Sequence, residues 1–344
     1  MELFVNRESV DLDFLTRFGG FFIVRGMFLV NTGDMMTDGS GSWFKSILAG
    51  VLVLAALGAE AQEPVKDFAY SGERIDLTLP VMNIEYLFTE THEVKDSSIQ
   101  GVAVYGKYLF QYNNFRERCA IYDLEAGKLV QTIELERDKL LHCNNANFSR
   151  QYYDESDPFP LLYISMENIL KHNVMVYRLT GKEGDLRMEP VQTITWPKPE
   201  DCGCYYPNVI LDNENGKIIQ MGYTQNNFHV AEGNKLIIRV YPLPSREKGD
   251  VTFTPAAAEK TFELPCVTAT QGAFCRNNRI YQIYGINLQE GLSLRVIDLD
   301  REKFVTCVDL PDIGIKSEQE GIGLYKEGII MTGQDRRVHF LTFK

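Results

Sequence analysis

Ser98-Ile99-Gln100-Gly101-Val102-Ala103-Val104-Tyr105-Gly106-Lys107-Tyr108-Leu109-Phe110 decides how the rest of the chain is read, because altered copies of it return twice. Gln271-Gly272-Ala273-Phe274-Cys275-Arg276-Asn277-Asn278-Arg279-Ile280-Tyr281 is one copy. Gln319-Glu320-Gly321-Ile322-Gly323-Leu324-Tyr325-Lys326-Glu327-Gly328-Ile329-Ile330 is the other. Each gives a polar residue, a glycine, a short apolar run, a turn and a second apolar run. Turn residues between two apolar runs specify a tight hairpin, and recurrence of one hairpin unit specifies a radially repeated β architecture.

Two further elements recur around these hairpins. Arg74–Pro80, Val130–Leu135, Val191–Pro197, Lys260–Pro265 and Val305–Pro311 all alternate polar and apolar positions, the period of a half-buried strand. Four of the five end in proline, which belongs at a sheet edge. Before four of them lies a segment ending in x-Leu: Ile121-Tyr122-Asp123-Leu124, Val176-Tyr177-Arg178-Leu179, Val240-Tyr241-Pro242-Leu243 and Val296-Ile297-Asp298-Leu299. Inner hairpin, third strand, turn and outer strand are the four strands of a propeller blade.

The count of outer strands predicts an all-β, five-bladed β-propeller. Arg74–Pro80 precedes the first hairpin, and the chain ends on Arg337–Phe343 with no outer strand after it. Pairing the two completes one blade from both termini. The extra length falls in residues 81–97, the loop Asp154–Pro158 and the long turn Ser245–Ala258. A sixth blade hidden in Val81–Lys95 is the alternative. In this pattern the chain resembles exported bacterial β-propellers with a Gln/Glu-Gly start to the inner strand, over about residues 70–344. Such propellers include glycoside hydrolases, lectins, phytases and protein-binding scaffolds, so no activity follows from the resemblance.

The first 61 residues read differently. Ile47–Leu57 is an eleven-residue apolar run with Lys45 before it and Ala59-Glu60-Ala61 after it. Basic flank, short apolar run and A-x-A site together describe a signal peptide cleaved after Ala61. The run is too short to span a bilayer, which takes roughly 20 residues, so no membrane span is expected in the mature chain. Residues 1–46 are long for such a leader, and translation from Met35 or Met36 accounts for them. The expected product is residues 62–344, one propeller domain, periplasmic or extracellular.

Charge and motifs narrow the chemistry. The net charge of −12 and the lack of a Lys/Arg cluster exclude a nucleic-acid backbone as the expected partner, since that binding rests on clustered cations. No P-loop, dinucleotide fingerprint or nucleophile elbow occurs, so no cofactor is expected. Seven cysteines, at 119, 143, 202, 204, 266, 275 and 307, match no disulfide framework. Cys119, Cys275 and Cys307 sit in apolar runs and read as small buried hydrophobes. His142-Cys143 with Cys202-Gly203-Cys204 matches zinc spacing poorly, so no metal is expected; Cys143 bonded to Cys202 or Cys204 is the other reading in an oxidising compartment. Asp212–Lys217 reads as a hairpin turn.

The blade starts line the central channel of a propeller. They are expected to bring Gln100, His142, Asn144, Asn145, Asn147, Tyr205, Tyr206, Asn208, Gln271 and Glu320 to its mouth, with Glu318 beside them. Amides and tyrosines hydrogen-bond neutral polar groups, so the expected function is non-catalytic binding of a glycan, a peptide or a protein partner. The alternative is a carbohydrate-active hydrolase using Glu320 or Glu318 with Asp201, because glycoside hydrolysis needs two facing carboxylates. A scaffold without ligand is the third reading.

Overall fold

A computed structural model of the chain describes residues 21–24, 27–30, 81–89, 99–113, 118–135, 142–166, 172–288 and 291–343. The chain divides into two units, Met1–Ala61 and Gln62–Lys344. The described part of the first is one antiparallel hairpin, β1 (Phe21–Val24) and β2 (Met27–Val30). The apolar run 47–57, the Ala61 site, Met35 and Met36 lie outside the described residues, as does Arg74–Pro80.

The second unit is a five-bladed β-propeller. Blade I is β4 (Ile99–Tyr105), β5 (Tyr108–Asn113), β6 (Arg118–Asp123) and β7 (Lys128–Glu134). Blade II is β8 (Cys143–Phe148), β9 (Leu162–Met166), β10 (His172–Lys182) and β11 (Asp185–Trp196). Blade III joins β12 (Tyr205–Asp212), β13 (Lys217–Tyr223), β14 (Lys235–Pro242) and β16 (Lys260–Pro265), and blade IV runs β17 (Thr270–Arg276), β18 (Arg279–Tyr284), β19 (Ser293–Asp298) and β20 (Lys303–Asp309). Blade V holds β21 (Gln319–Tyr325), β22 (Gly328–Gly333) and β23 (Arg337–Phe343), with β3 (Val81–Thr89) as its outer strand.

Closure by both termini is as expected, but the closing strand is Val81–Thr89, antiparallel to β23 from Thr89↔Arg337 to Val81↔Phe343. That register corrects the reading of Arg74–Pro80 as the outer strand. It also removes the sixth blade, since the segment proposed to hold it completes the fifth. The alternation in Arg74–Pro80 satisfied a local pattern; pairing is decided by which strand meets the edge of β23.

The long turn after β14 is a strap. Its two-residue strand β15 (Val251–Thr252) pairs in parallel with β11 and gives blade II a fifth strand. Gln192 Nε2 donates to the Gly249 carbonyl at 2.7 Å, and Phe253 packs its ring 4.6 Å from Tyr241 and 5.6 Å from Trp196. The strap therefore ties blade II to blade III.

Each strand has one face for each neighbouring blade, so the core is five inter-blade layers. Phe110, Ile121, Phe148 and Leu162 fill the layer between I and II, and Tyr163, Trp196, Leu211 and Tyr241 that between II and III. Met221, Ile238, Ile280 and Ile297 lie between III and IV, and Ile283, Leu294, Met331 and Leu341 between IV and V. Leu109, Tyr122, Ile330 and Val338 close the ring between V and I. Cys119 and Cys143 share the first layer, whereas Cys202 and Cys204 pack beside Ile237. All seven cysteines are free thiols, and burial pushes Cys119 up to about 12. Cys119 and Cys307 are buried as expected; Cys275 is half-buried.

Near the axis, the inner strands approach too closely for a Cβ at two glycines. A Cβ on Gly101 would fall 2.6 Å from the Asn144 carbonyl oxygen, and one on Gly272 2.5 Å from that of Glu320. In both cases the obstacle is the backbone of the next blade. At the opposite end of the blades, repeated ion pairs lock hairpin to third strand. Lys107 meets Asp123 at 2.6 Å and Arg279 meets Asp298 at 3.5 Å. Asp123 Oδ1 also accepts from the N–H groups of Ala126 at 2.8 Å and Glu125 at 2.9 Å, an Asx turn.

Gly101→Ala is expected to destabilise the fold by about 1–3 kcal/mol, the typical cost of overpacking, in denaturant unfolding. The Lys107 ammonium and the Ala126 N–H hold the Asp123 carboxyl below its ordinary 3.8. A carboxyl with a lower pKa in the folded state stabilises above its unfolded value and loses that contribution as pH falls through the folded one. Asp123→Asn should therefore lower the melting temperature by a few degrees at pH 7, with the gap to the parent closing as pH drops below about 4.

Candidate ligand cavity at the channel mouth

The polar starts of the inner strands are β-bulges, one per blade. The ladder breaks register between Ile99 and Val102, Cys143 and Asn145, Tyr205 and Asn208, Thr270 and Ala273, and Gln319 and Gly321. A bulge bends its strand and re-aims a side chain. The first bulged residues form a ring of Gln100, Asn144, Tyr206, Gln271 and Glu320. In blade I the bulge is held from behind by Gln111, whose Nε2 donates to the Gln100 carbonyl at 2.6 Å.

Above this ring lies a cavity of about 180 Å³, lined on one side by Tyr206, Tyr223 and Phe228 and elsewhere by His142, Asn144, Gln271, Glu318 and Glu320. The Tyr206 ring stands edge-on to Phe228 at 5.4 Å and to Tyr223 at 6.4 Å. Phe228 comes from the loop after β13. Buried Asn234 holds that loop, donating to the carbonyls of Asn227 at 2.7 Å and His229 at 3.1 Å. Tyr223 is fixed by its hydroxyl, which accepts from the Thr270 N–H at 2.6 Å.

Both carboxylates are positioned by carboxamides. Gln271 Nε2 donates to Glu318 Oε1 at 2.8 Å, and Gln334 Nε2 donates to Glu320 Oε1 at 2.8 Å. Gln334 also reaches the Ile99 carbonyl at 3.3 Å, so the contact crosses from blade V to blade I. Burial lowers the His142 pKa below the ordinary 6.5, which keeps its imidazole neutral at pH 7.

Six of the residues read from sequence meet here: His142, Asn144, Tyr206, Gln271, Glu318 and Glu320. The others go elsewhere. Asn145 plugs the axis below, its Nδ2 donating to the Ala273 carbonyl at 2.8 Å, and Asn208 Nδ2 donates to the Gln271 carbonyl at 2.8 Å. Asn147 lines a separate cavity at the opposite end with Phe148, Phe274 and Leu324, its Oδ1 accepting from the Leu211 N–H at 2.9 Å. Gln100 is buried and Tyr205 half-buried, and neither lines the mouth cavity. Asp201 is exposed on the one-turn helix Pro199–Cys202 and does not join the glutamates. Tyr223 and Phe228 escape a reading confined to blade starts; the Phe in the polar stretch Gln225–Asn234 is the only signal for either.

Among the described residues no cluster of three or more His, Cys, Asp or Glu could hold a metal, and no helix is long and apolar enough to cross a membrane.

The blades and their closed axis define the chain as a β-propeller. No protein-family model matches it, and no curated protein does. Solved structures with a similar fold include the glutaminyl cyclase of Myxococcus xanthus (14% identity, 76% of this chain and 99% of that one, TM-score 0.44). Another is a catalytically inactive virginiamycin B lyase from Staphylococcus aureus (13%, 76% and 99%, 0.41). A third is hydrazine synthase of Kuenenia stuttgartiensis (11%, 68% of this chain, 0.40); here the match spans only 61% of the other chain.

The His142 imidazole should titrate with a midpoint below 6.5 in a proton NMR pH series. A midpoint at or above that value would mean the ring is solvated or paired with a carboxylate.

Proposed function

We propose that this chain is an exported binding propeller which receives a polar part of a glycan or peptide in its mouth cavity without chemical change. The observation that carries the reading is the cavity itself: a concave site with one aromatic wall and several convergent polar groups, the usual composition of a ligand site. Binding is favoured over hydrolysis because Glu318 and Glu320 stand two residues apart at the start of one inner strand, each tied to a carboxamide. Glycosidases set two carboxyl groups on opposite sides of the scissile bond, about 5–9.5 Å apart. Asp201, the expected second group, is exposed outside the cavity. Export rests on the apolar run 47–57 and the Ala59-Glu60-Ala61 site.

A glycan and peptide array probed with the purified protein should give binding without turnover. Tyr206→Ala should weaken that binding by at least about tenfold, as loss of a central aromatic contact does. Turnover that disappears in Glu320→Ala would make the chain a hydrolase, and a silent array would favour a scaffold.

A further inference from the structure

We propose that Cys202 and Cys204 are a redox-active dithiol, which a low-molecular-weight disulfide such as glutathione disulfide oxidises to an intramolecular disulfide across Gly203. Oxidation of this pair needs no ligand in the mouth cavity, so it stands apart from the binding reading above. Cys143, the partner considered from sequence, packs in the layer between blades I and II, away from the Cys202 and Cys204 cluster.

The local backbone brings the two cysteines to disulfide distance. Cys202 ends the one-turn helix Pro199–Cys202, and Cys204 immediately precedes β12. Both are buried, and they share one apolar cluster with Ile237. Gly203 between them is left-handed, at φ 60° and ψ 40°, a conformation glycine adopts without the clash of a Cβ. These two angles set the separation of the flanking Cα atoms, and a left-handed turn mirrors the right-handed one. Helical rise and radius then put the Cα atoms of Cys202 and Cys204 about 5.4 Å apart, within the roughly 4.4–6.8 Å that a disulfide spans. An extended residue in the middle would stretch the gap to about 6.6 Å, near that limit. Space for the second sulfur comes from Gly222, where a Cβ would fall 2.6 Å from Cys204 Sγ.

Arg239 gives the pair its polarity. Its guanidinium is buried, and among the described residues it forms no ion pair with a carboxylate. Nη2 donates to the Cys202 carbonyl at 2.6 Å, and Nη1 donates to Gln220 Oε1 at 3.5 Å. A buried cation without an anionic partner is costly, and a thiolate is the anion that can form beside it. Burial pushes both thiols above their ordinary 9.0, and the Arg239 charge acts against that rise at each. Glu200 and Asp201 are exposed on the same helical turn. So short an element frays readily, which admits the oxidant to Cys202.

The exchange proceeds in two steps. The Cys202 thiolate attacks one sulfur of glutathione disulfide, breaks its S–S bond and releases the first glutathione. The Cys204 thiolate then attacks Cys202 Sγ of the mixed disulfide and releases the second. Two protein thiols are oxidised, one disulfide is reduced, and the two protons leave on the two glutathione thiols. The new bond fixes the turn before the bulge that aims Tyr206, a non-glycine residue held at φ 49°.

Peptide mapping of the reduced protein after incubation with glutathione disulfide at pH 8 tests the proposal. Trypsin does not cut between Lys198 and Pro199, so residues 188–217 form one peptide whose only cysteines are Cys202 and Cys204. That peptide should lose two hydrogens and resist alkylation. Cys204→Ser should stop at the mixed disulfide, with one glutathione on Cys202. Cys202→Ser should leave Cys204 at least about tenfold slower to react, because its raised pKa lowers the thiolate fraction. Arg239→Lys should oxidise faster than Arg239→Gln, since only the first keeps the charge, and equal rates would overturn the part given to the arginine. Both cysteines still alkylated after overnight oxidation of the parent would overturn the proposal, as would a cross-link from this peptide to Cys143.

Discussion

A four-stranded sheet with two apolar faces cannot leave either face in water, and that constraint governs this molecule. Every blade here buries one face against the blade before it and the other against the blade after it. A row of such sheets has two unsatisfied ends, and only a ring removes them. Pairing of Val81–Thr89 with Arg337–Phe343 removes the seam by building one blade from both ends of the chain. The inter-blade layers, the plugged axis and the mouth cavity all depend on that one antiparallel pairing.

Once the ring is closed, its centre becomes crowded, and the sequence features at the axis follow from the crowding. Gly101 and Gly272 stand where the neighbouring backbone leaves no space for a Cβ. Where blade II has Asn145 in place of such a glycine, the side chain is directed across the axis to a carbonyl of blade IV. The bulges have a second consequence. They turn one residue per blade toward the mouth, and four of the five such residues, Asn144, Tyr206, Gln271 and Glu320, line the cavity. One local irregularity, repeated around the ring, therefore both permits close packing and presents the polar groups.

The fold was largely readable because its signals are local. Turn chemistry and period-2 alternation placed the outer strands in Val130–Leu135, Val191–Pro197, Lys260–Pro265 and Val305–Pro311, and each is a strand in the structure over most of its length. The same rule put the closing strand at Arg74–Pro80, one segment before the strand that forms it. Alternation is a property of a segment, and pairing is a property of two segments. The long turn Ser245–Ala258 gave no sign that Val251–Thr252 would join another blade, since a two-residue strand carries no periodicity.

The site was half readable for the same reason. The sequence by itself determined the blade repeat and the polar, glycine-containing starts of the inner strands, and hence that amides, a histidine and two glutamates would gather near the axis. Tertiary structure alone decided which of them face the mouth. Asn145, Asn147 and Asn208 satisfy N–H or carbonyl groups of other blades, because a buried backbone group left unpaired costs more than a ligand contact left unmade. It also decided that Tyr223 and Phe228, from the end of a second strand and the loop after it, form the aromatic wall. Tyr223 reaches the blade start through strand pairing, standing opposite Tyr205 in the β12–β13 ladder, and Phe228 follows from the loop after β13. Blade III therefore builds the wall from one hairpin, whose pairing only the folded sheet fixes.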